Sequence, residues 1–400
     1  MRSKTNWLYF FQRIIAVITL ICMAKTSFAQ DTSTLYQQRA ESMYANVWKR
    51  YRVQDETGLF AENYPSKGKD TLTYMQGGGV KEKPVSFLWP FSGMFSATNV
   101  LLKVPSIKNK YIPYLDSLST GMEAYRDTLR QPPGYQAYPI KFEKSDRYYD
   151  DNGLVGIDYM EAYLNTKNPA YLQRAKAVFK FIESGWNDTL GGGVTWLEGH
   201  HDQKPACSNG TDMLVALKIY EGSKETYYLD WGKRFYSWMY HNLKDTNGIY
   251  CNDRKMNGSL NRTFYTYNSG FMLEAAVLLY HFTGDKTYLQ QAQQLAHDSY
   301  VYFSQVPHDK PLSIHIDLPW FVGVLFRGYE ALYKVDGNAT YISAIEKDLN
   351  YAWQTSRDKY GFITHSWTPK PEEIAKPKWL LDEGCIAELY ARLSLLKQKQ

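Results

Sequence analysis

Two adjacent aspartates, Asp150 and Asp151, are the residues of this 400-residue chain best suited by type and spacing to acid–base chemistry. They lie in the run Tyr148 to Gly153, which reads Tyr-Tyr-Asp-Asp-Asn-Gly and opens a predicted helix. Acids at a helix start commonly cap the helix and interact with its dipole. A cap needs only one acid, however, and two carboxyls held close together in a cleft raise the pKa of one of them. The pair would then supply one ionised and one protonated carboxyl, as cleavage of a glycosidic bond requires.

Aromatic side chains form a second group of candidate site residues, because they make up 16% of the chain, with 34 Tyr and 11 Trp. The flat face of an aromatic ring suits the C–H face of a sugar ring, and the polar edges of Tyr and Trp suit its hydroxyls. We therefore expect Trp89, Trp196, Trp320 and Tyr149 to contact a carbohydrate. The alternative for each is an ordinary role in the core or in packing a loop.

Three asparagines near predicted helix starts, Asn152, Asn209 and Asn268, are candidate ligands for sugar hydroxyls. A side-chain amide offers a hydroxyl both a donor and an acceptor. The same residue type also caps helices, so either role fits the sequence.

A repeat indicates how these residues are positioned. In each copy a short turn is followed by Tyr-Leu, or by Tyr-Ile in the last copy, and an amphipathic helix begins there. In the helix that begins at Tyr228, for example, Trp231, Phe235 and Trp238 share one face. Two helices and two connections fit the spacings of 57, 57, 60 and 53 residues. The five copies begin at Tyr114, Tyr171, Tyr228, Tyr288 and Tyr341.

A second kind of helix alternates with the first and is apolar nearly all round, as in the segment 266–283. This alternation predicts an all-α fold, an (α/α)6 toroid of six helical hairpins in two concentric rings. The amphipathic outer helices are expected at 35–52, 108–130, 169–186, 224–243, 285–303 and 338–356. The buried inner helices are expected at 86–102, 148–165, 207–221, 266–283, 317–335 and 380–398.

The connections between helices are asymmetric. Links from a buried helix to the next amphipathic one are short, as at Thr166 to Asn168 and Thr283 to Asp285, whereas the links in the other direction are long and aromatic. Six long loops must then gather at one mouth of the ring, where the N-termini of the inner helices meet a concave surface. We expect Asp150 and Asp151 to converge there.

The N-terminal segment 1–29 has the pattern of a signal peptide. Basic residues precede an apolar run at 14–24, and a small-x-small site ends at Ala29. The run is too short to span a bilayer. We therefore expect an exported protein, periplasmic or extracellular, in which 30–400 forms a single catalytic domain.

Charge and cysteine content exclude several classes of protein. Removing 1–29 takes away four basic residues and no acid, so the formal charge falls from +5 to +1 and offers nothing to attract nucleic acid. The three remaining cysteines, Cys207, Cys251 and Cys385, are too few for a disulfide scaffold. No nucleotide-binding motif and no zinc-type spacing occurs, so we expect no cofactor and no metal. We expect the chain to be a monomer.

The Tyr-Tyr-Asp-Asp-Asn run at an inner-helix start, with helical hairpins on both sides, resembles glycoside hydrolase family 76. That family includes endo-α-1,6-mannanases with an (α/α)6 toroid. The resemblance implies that Asp150 is the nucleophile and Asp151 the general acid/base of a retaining mechanism, with α-mannan or a manno-oligosaccharide as substrate. One departure is Leu154, which stands where the family commonly has Trp.

Other functions share the predicted architecture. Sugar 2-epimerases and unsaturated-glucuronyl hydrolases are also toroids, so the fold alone does not decide the reaction. An epimerase relies on histidine bases at the inner mouth, whereas His241, His281 and His297 fall on helices away from the inner-helix starts. A non-catalytic glycan-binding protein, whose acids only hydrogen-bond hydroxyls, is the third alternative.

Overall fold

The computed structural model contains thirteen helices, α1 to α13, in the part of the chain that it describes. The segment 1–29, which the sequence predicts to be a signal peptide, lies outside that part. Within it, no helix combines the length and the apolar character needed to cross a membrane. The described residues are 31–54, 56, 58–66, 70–72 and 81–398.

Twelve of these helices alternate between an outer and an inner ring, as the sequence predicts. The outer helices are α1 (31–51), α3 (Lys108–Met122), α5 (Pro169–Ser184), α7 (Thr226–Asn242), α9 (Lys286–Gln305) and α11 (Thr340–Thr355). The inner helices are α2 (Leu88–Leu101), α4 (Tyr149–Thr166), α6 (Ala206–Ser223), α8 (Thr266–Thr283), α10 (Pro319–Asp336) and α13 (Leu380–Gln398). The four-residue helix α12 (Pro371–Ile374) lies in the last long loop.

Contacts between neighbouring helices close the inner ring. Each of α2, α4, α6, α8 and α10 packs against the next in that order, and α13 packs against both α10 and α2. The first outer helix joins the same closure, because Ser33 on α1 donates a hydrogen bond of 3.0 Å to the carbonyl of Ser394 on α13. The predicted (α/α)6 toroid is therefore confirmed.

The strands are short and confined to the connections. A three-stranded sheet joins two of the long loops, because β6 pairs with β7 and β7 with β8. The strands are β1 (Asn63–Tyr64), β2 (Asp70–Leu72), β3 (Lys81–Lys83), β4 (Arg126–Asp127), β5 (Gly134–Tyr135), β6 (Gln203–Pro205), β7 (Asp253–Lys255), β8 (Leu260–Asn261) and β9 (Lys378–Trp379).

One predicted helix, 108–130, is too long. Helix α3 ends at Met122, and a single 3-10 turn and the strand β4 follow it. The carboxylate of Asp127 accepts hydrogen bonds from the backbone N–H groups of Leu129 at 2.9 Å and Arg130 at 3.3 Å. This local alternative to helical hydrogen bonding turns the chain, as short acidic side chains commonly do.

The short links have the geometry that their brevity requires. Lys167, which follows α4, has φ of 61°, and Gly284, which follows α8, has φ of 73°. A residue in this left-handed region ends the helix and reverses the chain. The side chain of Asn168 or Asp285 then accepts a hydrogen bond from the backbone N–H two residues further on and starts the next helix.

Polar side chains in the first turn of four inner helices hold the backbone of the preceding long loop. The Asn152 amide donates to the Tyr135 carbonyl at 2.8 Å and accepts from the Tyr135 N–H at 2.7 Å. Asn209 holds Val194 in the same two-way manner, at 3.0 and 2.9 Å. We call these two amide–backbone pairs the loop clamps. Single hydrogen bonds of the same kind join Asn268 to the Tyr250 carbonyl and the Ile363 N–H to Glu383.

Glycines let the inner helices approach each other closely. A β-carbon built on Gly270 of α8 would lie 2.7 Å from the backbone nitrogen of Leu325 on α10. The backbone of α10 cannot move aside as a flexible side chain could. On α13, a β-carbon built on Gly384 would lie 3.3 Å from the backbone of Gly93, which is tight but not an overlap.

We expect Gly270→Ala to destabilise the protein and Gly384→Ala to do so less. Alanine favours a helix over glycine by about 0.5–1 kcal/mol, but overpacking a core typically costs about 1–3 kcal/mol. The two variants gain the same helix propensity, so the comparison isolates the overlap at Gly270. Thermal unfolding followed by circular dichroism measures the difference. Equal melting temperatures for the two variants would contradict the close approach of α8 and α10.

Candidate active site

A cavity of about 210 Å³ opens where the inner helices begin. The second residue of an inner helix lines it in five of the six cases: Trp89 on α2, Asp150 on α4, Cys207 on α6, Tyr267 on α8 and Trp320 on α10. Side chains at this position point from the first turn of each helix toward a common space. The mouth predicted from the long loops is therefore a real concave surface of the fold.

Asp150 lies partly exposed in this cavity. The indole N–H of Trp196 donates a hydrogen bond of 3.0 Å to its Oδ2 atom. The other oxygen, Oδ1, is buried and accepts no hydrogen bond of ordinary geometry within the described part of the chain. Burial raises the pKa of Asp150 to about 6, against the opposing effects of the nearby Cys207 thiol and the Trp196 indole. This carboxyl can therefore gain or lose a proton close to neutral pH.

Asp151 lines the same cavity and is buried. Both acids belong to the first turn of α4, where the free N–H groups and the helix dipole favour negative charge. The two carboxyls thus share one aromatic cavity at the positive end of a helix. The cavity brings together an acid that titrates near neutrality and a second acid adjacent to it in sequence.

Aromatic rings form one continuous wall of the cavity. Trp89 contacts Trp320 edge to face, with ring centroids 5.4 Å apart, and Phe321 packs against Tyr267 at 4.2 Å. Trp196, which also lines the cavity, contacts Tyr148 with ring centroids 5.0 Å apart. Of the predicted aromatic contacts, Trp89, Trp196 and Trp320 line the cavity. Their rings also support one another, so each has a packing role as well.

Four of the predicted substrate contacts do not line the cavity. Tyr149 is buried with its ring stacked on Phe181 at 4.9 Å, because successive residues of a helix point in different directions. Asn152 and Asn209 belong to the loop clamps and are fully buried. Asn268 is also fully buried and donates to a loop carbonyl. The three amides hold loop backbone, which is neither of the roles predicted from the sequence: none of them is the N-cap of its helix, and none lines the cavity.

Other lining residues were not anticipated from the sequence. Cys207 and Tyr267 follow the rule that the second residue of an inner helix faces the cavity, so an exact helix start would have identified them. Gln203 and Asn252 reach the cavity from the loops joined by β6 and β7, and Asn252 accepts a hydrogen bond of 3.1 Å from the Tyr267 hydroxyl. Pairing between two distant loops has no local signature in sequence.

The cavity contains the groups needed for acid–base and nucleophilic chemistry on a carbohydrate: two carboxyls, indole and phenol rings, and amides at the rim. Within the described ranges, no group of three or more His, Cys, Asp or Glu side chains is arranged so that it could hold a metal ion.

Comparisons with known proteins agree with this geometry. A family model described as Glycosyl hydrolase family 76 matches residues 35–313. A solved structure of a family 76 mannosidase from Bacteroides thetaiotaomicron VPI-5482 is 29% identical, has a TM-score of 0.80 and covers 91% of this chain and 99% of its own. A second family 76 structure, from a bovine Bacteroides thetaiotaomicron strain, is 26% identical with a TM-score of 0.79, covering 90% of this chain and 78% of that one.

Among curated relatives, the mannan endo-1,6-alpha-mannosidase of Candida albicans is 29% identical over 174 residues. That match covers 39% of this chain and 38% of the relative, so the chain matches about two fifths of the fungal protein's length. The family model, in contrast, spans well over half of the present chain. Together with the ring architecture and the paired acids, the match to the family model shows that the chain belongs to glycosyl hydrolase family 76.

Proposed function

We propose that this protein is a glycoside hydrolase that cleaves α-1,6-linked mannan by a retaining, two-step displacement. The observation that carries the proposal is the pair Asp150 and Asp151 in one aromatic cavity at the mouth of the ring. The similarity to fungal mannan endo-1,6-alpha-mannosidases supports the choice of substrate. Residues 30–400 would form the single catalytic domain. The segment 1–29 would direct export to the periplasm or beyond.

The proposed mechanism assigns the nucleophile to Asp150. Its ionised Oδ2 attacks the anomeric carbon, and a glycosyl ester forms as the glycosidic bond breaks. Asp151 donates a proton to the departing oxygen and then removes one from the water that hydrolyses the ester. The Trp196 indole N–H and the α4 dipole stabilise the ionised form of Asp150. Because the nucleophile must be ionised, activity should fall as the pH drops through about 6, the pKa to which burial raises Asp150.

The aromatic wall supports a role in binding the sugar. Trp89 and Trp320 meet edge to face, so between them they offer surfaces in two orientations. An apolar sugar face can lie against one ring while the hydroxyls reach Gln203 or Asn252 at the rim. Trp196 combines two tasks, because it lines the cavity and donates to the carboxylate of Asp150.

Purified protein incubated with linear α-1,6-mannan should release manno-oligosaccharides. Proton NMR during the first minutes should show the α anomer, because two displacements restore the original configuration. A first-formed β anomer would contradict the retaining mechanism. Binding of mannan without any release of product would instead identify a non-catalytic glycan-binding protein. Asp188→Asn, at an exposed loop acid outside the cavity, serves as the control and should match the wild type.

The roles of the two acids predict different responses to leaving-group quality. Asp150→Ala should abolish turnover of polysaccharide and of an activated aryl mannoside alike, because no ester can form without the nucleophile. Asp151→Ala should lose about 10²–10⁴-fold in kcat on mannan yet still release an activated phenol in a burst, since a phenolate needs no proton. Added azide should accelerate the slow phase that follows the burst. The reverse pattern, with the activated substrate surviving only in Asp150→Ala, would exchange the roles.

The raised pKa of Asp150 also predicts a stability effect that needs no substrate. The unfolded chain ionises this group near its ordinary value of 3.8, whereas the folded protein does so at about 6. The folded state therefore loses stability as pH rises between these values and carries the full penalty above them. Asp150→Asn removes the charge and should stabilise the protein by about 1–3 kcal/mol at pH 7.5, with little effect at pH 4.

Asp127→Asn is the matched control, because this acid has the opposite shift. Burial opposes ionisation of Asp127, but hydrogen bonds from Arg130 and from the Leu129 N–H outweigh it and lower the pKa. Its stabilising effect is present at neutral pH and is lost as pH falls through the lowered pKa. Asp127→Asn should therefore lower the melting temperature at pH 7.5 while Asp150→Asn raises it. A loss of stability in both variants at pH 7.5 would show that the ionised Asp150 carboxylate does not destabilise the folded protein.

A further inference from the structure

Four buried polar atoms on α4 and α6 form no hydrogen bond of ordinary geometry: Oδ1 of Asp150, Oγ of Ser208 and both carboxyl oxygens of Asp212. The Cys207 thiol is a hydrogen-bonding neighbour of Asp150 and Ser208, whereas only burial and the charge of Asp150 act on Asp212. Ser208 and Asp212 are fully buried. Buried polar atoms in folded proteins nearly always have a partner, so a group of four in one place calls for a specific explanation.

The geometry of α4 and α6 brings these atoms to the same interface. A β-carbon built on Gly153 of α4 would lie 2.8 Å from Oδ1 of Asp212. Asp150 is one turn before Gly153 on the same face of α4, since residues three apart are neighbours on a helix. Ser208 is likewise one turn before Asp212 on α6. Asp212 therefore faces α4 close enough to Asp150 for the charge of Asp150 to act on it, and Ser208 lies one turn nearer the helix start on the same side of α6.

No basic group perturbs Asp212, so its charge would stand uncompensated. Burial raises the pKa of Asp212 well above its ordinary value, and the nearby charge of Asp150 raises it further. Of the titratable groups around the two acids, Tyr149 on α4, Cys207 on α6 and Tyr267 on α8 are neutral when buried. Asp151 on α4, which lines the same cavity as Asp150, adds only further negative charge when it is ionised. A carboxyl in this position keeps its proton at neutral pH. It is then a hydrogen-bond donor as well as an acceptor.

Resting on the assignment of Asp150 as nucleophile, we propose that Asp212 is a positioning residue: its protonated carboxyl donates, through one buried water shared with Ser208, to Oδ1 of Asp150. This hydrogen bond would fix the rotation of the Asp150 carboxylate. Oδ2, which receives the Trp196 N–H, would then be the oxygen presented to the cavity. The Cys207 thiol beside Asp150 is a weaker donor than a carboxylic acid and does not replace this contact.

Two substitutions of similar shape separate a hydrogen-bonding role from a packing role. Asp212→Asn keeps a donor and stays neutral, so the acidic limb of the kcat/KM pH profile should not move. Asp212→Leu removes the donor, so the Asp150 carboxylate loses a stabilising bond. The acidic limb should then move to higher pH by about 1 unit, the equivalent of one hydrogen bond near 1.4 kcal/mol. We expect kcat to fall about tenfold with KM little changed, since an interaction worth 1.4 kcal/mol is tenfold in rate.

Two results would overturn the inference. A shift of the acidic limb to lower pH in Asp212→Asn would mean that Asp212 is charged in the wild type, because removing a negative neighbour makes Asp150 easier to ionise. An Asp212→Leu variant that is less heat-stable but has the wild-type pH profile and kcat would show a packing role alone. If Asp212→Leu does not fold, Ser208→Ala tests the same contact. It should shift the limb in the same direction by a smaller amount, and no shift in it would reject the shared water.

A double-mutant cycle separates failure of this inference from failure of the proposed function. Melting temperatures are measured for Asp212→Leu, Asp150→Asn and the double variant, without substrate. Hydrogen bonding through the shared water predicts non-additive effects, whereas independent sites add. A wild type that does not hydrolyse mannan would defeat the proposed function but leave this measurement intact. Additive effects would defeat the Asp212 contact even in an active enzyme.

Discussion

The parallel packing of six inner helices is the constraint on which the rest of the structure depends. Parallel helices bring six positive dipole ends to one mouth and six negative ends to the other side of the ring. The mouth receives the acids Asp150 and Asp151. At or below the middle of the helices lie buried cations: Lys218 pairs with Glu161 at 2.8 Å and with Glu274 at 3.0 Å. A bidentate Arg327–Glu388 pair joins α10 to α13 at similar depth. Carboxylates on the neighbouring helices thus neutralise the cations buried between the inner helices.

The loop clamps carry the order of the ring into the site. Asn152 is the next residue after Asp151, and its amide is held by the backbone of Tyr135. Asn209 is two residues after Cys207 and is held by Val194. A long loop therefore cannot move at its clamped point without disturbing the helix start that faces the cavity. The long loops help to build the cavity, and the loop clamps tie the two loops that contain Tyr135 and Val194 to the starts of α4 and α6.

Much of the fold could be predicted from the sequence, because it rests on periodicity. The recurring Tyr-Leu turns and the two kinds of apolar pattern report which helices are buried on one side and which on all sides. The position of Asp150 and Asp151 at the cavity could be predicted because two adjacent acids exceed what a helix cap needs. The asparagines could not be assigned, since an amide that binds a hydroxyl and one that binds a backbone look alike in sequence. The choice between them depended on loop positions such as Val194, which only the folded chain reveals.

The contact of α13 with α2 has a consequence for how the protein reaches its working form. Gly93 and Leu381 touch across this seam, although nearly the whole domain separates them along the chain. Contacts of such long range form slowly, because the entropy of closing the intervening chain must be lost first. Until that seam forms, the five earlier inner helices are an open arc. Trp89 then lacks its neighbours Trp320 and Trp379, which lie on the far side of the seam. The cavity should therefore be among the last features to mature, so a nascent or partly unfolded chain would hold Asp150 and Asp151 in an unfinished pocket.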